Sequence, residues 1–295
     1  MHNRYELAYY LVAFLDILGQ SERLEELKRL PTNQAENERA AQILNETAGS
    51  IVGLREGFDS LFDALSKPTP ILDSLPPEKR NMAISLRQIK IACRGISDSY
   101  IMTLPLVEHE LFGRSRVMLN VWSVLGAICG MFVAALAQRL VIRGGVEIGL
   151  GTRLPIHEED EVYGPAVARA VRLENKVAQY PRVVVGEHLW EYLCSVEGSI
   201  ANNKFDQLAT KYAVNSKNLI YQEQYDGVRV LDYLGKGAHS IKGVEASWVK
   251  KAYQWVVEEH EKYVKSKNYE LAGRYGLLRQ YIESRLALWN LSPIE

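Results

Sequence analysis

Residues 9–19, YYLVAFLDILG, form an apolar run that contains one acidic residue, Asp16, and stops at Gly19. A run of this length, rich in aromatic and branched side chains, predicts a buried β-strand. Burying a carboxylate near the end of such a strand costs free energy unless another group compensates its charge. Asp16 is therefore the first candidate for a functional residue.

A second stretch, residues 84–106, reads ISLRQIKIACRGISDSYIMTLPL and alternates between polar and apolar side chains on both sides of a break at residues 95–97. Alternation interrupted by a glycine-containing turn predicts a β-hairpin. Asp98 stands at or just beyond that turn. The chain thus has two acidic residues, each at the end of a predicted strand.

The order of the remaining elements predicts the fold class. Residues 22–65 have helical spacing, and residues 67–79 contain four prolines, which predicts a linker. Further on, the patterns predict a helix at 115–138, a strand at 140–148, a helix at 164–178, a strand at 180–186, a helix at 187–196, a hairpin at 218–235 and helices after residue 244. We expect an α+β protein with a ferredoxin-like βαββαβ core, an extra hairpin and a C-terminal helical extension.

Charge and cysteine usage exclude several classes of protein. The chain has 35 basic and 36 acidic residues, a formal net charge of -1, which argues against nucleic acid or an anionic membrane as its main partner. Cys93, Cys129 and Cys194 form no CxxC pair, which argues against a disulfide framework or a structural zinc site. We expect a cytoplasmic protein, since the N-terminus also lacks the features of a signal peptide.

One segment, residues 117–137, is apolar and long enough to span a bilayer. It runs directly into the predicted strand at 140–148, with no loop between them. We expect a buried helix that covers a sheet, and no membrane partner.

In a βαββαβ sheet the first strand lies beside the hairpin formed by the second and third strands. Asp16 and Asp98 would then face each other across neighbouring strand ends. Two adjacent carboxylates repel unless a cation lies between them, and carboxylate oxygens suit hard ions such as Mg²⁺ or Mn²⁺. The sequence therefore predicts a divalent cation site at this end of the sheet.

Four segments carry a resemblance to a known family. Taken in order, FLDILG, GISDS, IRGGVEIG and YGPAVARAVRLENKVAQYPRVVV resemble the class III nucleotidyl cyclase domain, most closely the pyrimidine cyclases of bacterial Pycsar anti-phage systems. The resemblance covers roughly residues 8–235. It implies a catalytic domain at 1–240 with a helical insertion at about 22–80, followed by the helical extension at 241–295.

The resemblance implies a reaction and a metal site. Family members convert a nucleoside triphosphate into a 3′,5′-cyclic monophosphate and diphosphate with two divalent cations, Mn²⁺ or Mg²⁺. Asp16, Asp98 and the carbonyl of Ile17 would hold these cations.

The resemblance also implies the residues that bind the substrate. Arg143 would bind the triphosphate, and Arg172 would stabilise the transition state. The triphosphate would also lie on four backbone amides at the start of the following helix, those of Leu18, Gly19, Gln20 and Ser21.

Two positions depart from the pattern of adenylate cyclases. Ala168 replaces an asparagine that positions the substrate. Arg94 stands where a lysine often reads adenine, and an arginine donates two hydrogen bonds that match the carbonyl groups of uracil. We therefore favour UTP, although cytosine also carries an acceptor carbonyl and CTP stays open.

The family forms its sites between two subunits, so the resemblance implies a homodimer with shared active sites and a separate effector protein that binds the product. Three alternatives stay open at this stage. They are a cytidylate cyclase, a catalytically impaired nucleotide-binding dimerisation module, which Ala168 favours, and a polymerase-like palm, against which the near-neutral charge argues.

Overall fold

The computed structural model describes residues 6–19, 24–27, 29–67, 91–96, 98–108, 112–156, 159–241 and 243–294. These residues form eight strands: β1 (Leu7–Leu18), β2 (Ala92–Ile96), β3 (Ser99–Pro105), β4 (Val141–Ile156), β5 (Glu159–Tyr163), β6 (Val183–Val185), β7 (Ile220–Gln222) and β8 (Arg229–Leu231). They also form α-helices: α1 (Gln34–Leu65), α2 (Arg114–Ala137), α3 (Pro165–Arg172), α4 (Glu187–Glu197), α5 (Lys204–Lys217), α6 (Lys236–His239), α7 (Ala246–Lys265) and α8 (Tyr269–Glu283).

The strands belong to one mixed sheet in the order β2-β3-β1-β4-β6-β8-β7, with β5 paired to β4. β1 lies between β3 and β4 and runs antiparallel to both, whereas β6 runs parallel to β4. The first four strands with α1 and α2 therefore have the predicted βαββαβ arrangement. The expected α+β fold and its extra hairpin, β7 and β8, are confirmed.

One face of the sheet is covered by α2, whose burial explains its composition. The alternate residues of β1 that face α2 are buried, and so are Leu125 and Ile128 of the helix. α2 is long and apolar enough to cross a bilayer, but it packs against α1, α5 and α7, and most of its length is buried. The prediction of a buried helix over a sheet is confirmed.

The opposite face of the sheet carries α3. Tyr10 and Val12 of β1 form a small buried cluster with Ala166 and Ala170 of this helix. The helix lies so close to β4 that a Cβ atom at Gly145 would stand 2.4 Å from the carbonyl oxygen of Ala170. The glycine of the RGG segment is therefore required by the packing of α3 on the sheet.

Several boundaries differ from the predicted ones. The helix predicted from residue 22 begins at Gln34, because Pro31 precedes it and the side chain of Asn33 accepts a hydrogen bond from the amide of Glu36. β4 continues to Ile156 because its second half pairs with β5. The predicted linker at 67–79 and the first part of the hairpin segment, residues 84–90, lie almost entirely outside the described residues.

α5 was not predicted from the sequence. This helix buries few side chains, and its sequence, KFDQLATKYAVNSK, has a weak apolar stripe. Its start does carry a signal, since the side chain of Asn203 accepts hydrogen bonds from the amides of Phe205 and Asp206. A search for capping residues would have found it.

The C-terminal helices pack on the sheet end and on α2. α7 and α8 pack against each other, and α7 also contacts α2. Trp289 donates a hydrogen bond from Nε1 to the carbonyl of Leu234, whose own amide donates to the hydroxyl oxygen of Tyr281. The helical extension is thus joined to the region after β8, and a boundary near residue 240 stays a prediction.

Candidate active site

Asp16 lies near the end of β1, on the sheet face that carries α3. It is directly opposite Ser99 of β3 on one side and Arg143 of β4 on the other. The Ser99 hydroxyl donates a hydrogen bond to Asp16 Oδ1 at 3.0 Å, and a guanidinium nitrogen of Arg143 lies 3.6 Å from Oδ2. The carboxylate is 19% exposed, so it is shielded from solvent but open to a ligand.

Asp98 lies in the turn between β2 and β3, next to the end of β1. The Ile17 amide donates a hydrogen bond to the Asp98 carbonyl at 3.1 Å, which fixes the turn against β1. Burial raises the pKa of Asp16. The hydrogen bond from Ser99 lowers this pKa, the charge of Asp98 raises it and Arg143 lowers it, so that the net shift is upward. The two aspartates that were singled out from the sequence therefore lie at the same end of the sheet, and their charges interact.

The donor set of this site fits a divalent cation. Two partly shielded carboxylates repel each other, and a cation would relieve that repulsion. Within the described ranges no group of three histidine, cysteine or acidic side chains could hold a metal. One or two carboxylates with substrate phosphates are, however, the usual ligands of Mg²⁺ in nucleotide-binding sites. Asp16 and Asp98 would hold the ion, with a predicted contribution from the Ile17 carbonyl.

Arg143 contacts Glu174, which was not predicted as a site residue, more closely than it contacts Asp16. Its Nε donates a hydrogen bond to Glu174 Oε1 at 2.6 Å, and one of its terminal nitrogens contacts the same carboxylate. The Glu174 side chain is only 2% exposed. Burial raises the pKa of Glu174, while Arg143 lowers it and Asp16 raises it again, and the net shift is upward.

The local backbone explains how Glu174 enters the site. α3 ends at Arg172, and residues Leu173–Val177 form one π-helical turn in which the Ala178 amide bonds to the Leu173 carbonyl. π-helical turns often mark functional sites. The sequence predicted an ordinary helix over 164–178, which gave no reason to single out Glu174. The only signal was a carboxylate in the same segment as Arg172.

Arg172 and Ala168 lie on the outer side of α3. Both are exposed, and Arg172 makes no hydrogen bond or ion pair with the described residues. Within one chain the structure therefore does not bring Arg172 into contact with Asp16. Its role in the transition state stays a prediction.

Arg94 lies on the same sheet face as Asp16, two strands away. It is opposite Ile101, which is two residues from Ser99 on β3, so the Cα atoms of Arg94 and Asp16 are about 12 Å apart by strand geometry. Its guanidinium pairs with Glu161 of β5 at 2.7 Å, and both side chains are half exposed. This partner was not predicted, and recognition of a base by Arg94 stays a prediction.

Of the four predicted phosphate-binding amides, two are described. Leu18 ends β1, and Gly19 follows it with φ +83°, a conformation that favours glycine. Residues 24 and 25 are helical, but the long helix α1 begins only at Gln34. Gln20 and Ser21 lie outside the described residues.

No protein-family model matches the chain. No curated protein matches it at a significant level.

Solved structures of nucleotidyl cyclases resemble the fold at low identity. The adenylyl cyclase CyaB from P. aeruginosa is 15% identical, with 67% of this chain and 89% of that chain covered and a TM-score of 0.42. The guanylate cyclase domain of RhGC from Catenaria anguillulae in complex with GTP is 11% identical, with 76% and 95% covered and a TM-score of 0.39. Similarity at this level assigns neither an activity nor a substrate to this chain.

Proposed function

We propose that the protein is a metal-dependent nucleotidyl cyclase that converts UTP into 3′,5′-cyclic UMP and diphosphate. The observation that carries the proposal is the meeting of Asp16 and Asp98 at the end of β1, with Arg143 beside them. Ser99 and Arg143 orient the Asp16 carboxylate from the two neighbouring strands. Such a cluster of charges is costly to fold without a ligand.

The reaction needs an attack by the ribose 3′-hydroxyl on the α-phosphorus and departure of diphosphate. The new bond joins O3′ to the α-phosphorus, the bond to the bridging oxygen of the β-phosphate breaks, and the hydroxyl proton is released. Divalent cations, when bound, lower the pKa of the attacking hydroxyl and neutralise charge on the phosphates. Asp16 and Asp98 would hold these ions, and Arg143 would supply positive charge at the triphosphate.

The backbone after β1 contributes to the same function. The amides of Leu18 and Gly19, with those of Gln20 and Ser21, form the proposed cradle for the triphosphate. The left-handed conformation of Gly19 turns the chain at this point and supports that role.

UTP is favoured because Arg94 stands on the face that carries Asp16 and can donate to the carbonyl groups of uracil. To do so, Arg94 exchanges its exposed ion pair with Glu161 for the base, which costs little because exposed pairs contribute only about 0–1 kcal/mol. The cytosine carbonyl would accept one of the same bonds. A cytidylate cyclase is therefore the second candidate.

Arg172 completes the site from a second copy of the chain. Its exposure on α3, without an ion pair to the described residues, supports a role toward a partner molecule. A symmetric homodimer would then have two equivalent sites, each with the aspartates of one protomer and Arg172 of the other.

Ala168 favours a different class, a cyclase-like dimerisation module that binds nucleotide without turning it over. It stands on the exposed side of α3, where an asparagine amide would be needed to position a substrate. This second class and the enzyme differ in one measurable property, the formation of a cyclic product.

The test is incubation of the purified protein with each ribonucleoside triphosphate and Mn²⁺ or Mg²⁺, followed by chromatography and mass spectrometry. We expect cyclic UMP as the main product and none from Asp16→Ala or Asp98→Ala, each of which should stay folded. Turnover by either variant at the wild-type rate would contradict the metal assignment. Binding of UTP without any cyclic product would favour the dimerisation module.

The biological part of the proposal rests on the resemblance of the sequence. The cyclic nucleotide would act in the cytoplasm as a second messenger in anti-phage defence (abortive infection), and a separate effector protein would bind it. Neither nucleic acid nor a membrane is a proposed partner. Bacteria that express the wild-type chain with its effector should resist phage, whereas those with Asp16→Ala should not.

A further inference from the structure

Glu174 is a buried carboxylate that the proposed reaction does not use directly. Nε and Nη2 of Arg143 both contact Glu174 Oε1, whereas Nη2 lies 3.6 Å from Asp16 Oδ2. The guanidinium is therefore held on the α3 side, and its contact with Asp16 is the longer one. The guanidinium of Arg143 is thus shared unequally by the carboxylates of Glu174 and Asp16.

The position of Arg143 affects how much negative charge Asp16 can offer to a divalent ion. If Arg143 paired fully with Asp16, it would neutralise the carboxylate that has to bind a divalent ion. Glu174 Oε1 accepts a charge-assisted hydrogen bond from Arg143 Nε and also contacts Nη2, the nitrogen that lies nearest to Asp16. Glu174 thereby leaves the charge of Asp16 available.

We propose that Glu174 is a positioning residue that holds Arg143 away from Asp16 and so keeps Asp16 free to bind the divalent cation. The inference rests on the proposed function for the identity of the cation site. In this role, the π-helical turn Leu173–Val177 presents the Glu174 carboxylate to Arg143 of β4.

The backbone supports this assignment. A Cβ atom at Gly145 would stand 2.9 Å from the Glu174 amide and 2.5 Å from Cβ of Leu173, so the turn lies directly on β4. The Glu174 carboxylate therefore reaches Arg143 from a turn that is packed closely on the sheet. A partner held in this way fixes both the distance and the direction of the guanidinium.

The experiment measures Mn²⁺ binding to the full chain without nucleotide, by electron paramagnetic resonance of the free ion. In Glu174→Gln, Arg143 loses its charged partner and should turn to Asp16. We expect Mn²⁺ to bind roughly 10- to 100-fold more weakly, the usual effect of removing a residue that orients a metal ligand. Unchanged Mn²⁺ affinity would overturn the proposal.

A double variant separates positioning from a general loss of structure. Arg143→Gln combined with Glu174→Gln removes the guanidinium that would pair with Asp16, together with the Glu174 carboxylate. Mn²⁺ affinity should therefore return to within a few fold of the wild-type value. Loss of affinity equal to or greater than that of the single variant would contradict the mechanism. This result stays informative even if Glu174→Gln alone folds poorly.

Glu147→Gln is the matched control. Glu147 is another buried carboxylate of the same sheet face, but it accepts hydrogen bonds from the amides of Ile148 and Leu189 at the start of α4. The Glu147→Gln variant should have lower thermal stability but the same Mn²⁺ affinity as the wild type. Mn²⁺ binding that follows this pattern without any cyclic product would refute the proposed function while supporting the role of Glu174.

Discussion

At the scale of single residues, Gly145 decides how closely α3 packs on β4. In Gly145→Ala the new methyl group would meet the Ala170 carbonyl oxygen at 2.4 Å, a backbone atom that cannot move alone. We expect α3 to shift from β4 and the free energy of unfolding to fall by about 1–3 kcal/mol. Urea denaturation measures the loss, and Mn²⁺ binding should weaken because Glu174 moves with the helix.

The control for this substitution is Gly53→Ala on α1. A Cβ atom there meets nothing within 4 Å, and alanine is the better helix former by about 0.5–1 kcal/mol. The variant should therefore be as stable as the wild type or slightly more so. A Gly145→Ala protein with wild-type stability would show that α3 does not lie on β4 in this way.

At the scale of secondary-structure elements, one buried arginine joins β6 to the β7–β8 hairpin. Arg182 contacts the carboxylates of Glu223 and Asp226 and donates to the Val177 carbonyl. Arg182→Met would leave Glu223 buried without its charged partner, so we expect the free energy of unfolding to fall by about 3–5 kcal/mol. Arg274→Met, which removes an exposed pair with Glu270, should change it by less than about 0.5 kcal/mol.

The same cluster predicts a dependence of stability on pH. Burial alone would raise the pKa of Asp226, but hydrogen bonds from Arg182 and the Val228 amide lower it. Because the pKa is lower in the folded state, this stabilisation is present above the unfolded-state pKa and is lost as the pH falls through the folded-state value. In Asp226→Asn the fall of stability on acidification should be smaller than in the wild type. An identical acid profile of the two proteins would contradict the contact with Arg182.

Elements with strong periodicity could be predicted from the sequence, whereas those set by tertiary packing could not. The apolar run of β1 and the hairpin around Asp98 depend on local residues, and both elements were predicted. Glu174 was missed because its burial depends on a π-helical turn and on the close approach of α3 to β4, which no local pattern encodes. The pairing of Arg94 with Glu161 likewise depends on β5 returning along β4.

At the scale of the whole molecule, the proposed site is divided between two surfaces. Asp16 lies among β1, β3 and β4 with Arg143 and Ser99 as its neighbours. Arg172 is exposed on the outer side of α3, away from these contacts. If a second copy supplies the arginine, variants that lack different parts of the site should complement each other.

Asp16→Ala and Arg172→Ala should each be inactive alone, because each homodimer has two incomplete sites. After mixing and subunit exchange, about half of the dimers combine the two variants, and each of these has one complete site, so activity should return to about a quarter of the wild-type value. Cyclic nucleotide formation measures the recovery. Asp16→Ala mixed with Asp98→Ala is the control and should stay inactive, since both substitutions affect the same half of the site. No recovery in the first mixture, with exchange verified by native mass spectrometry, would place Arg172 outside the shared site.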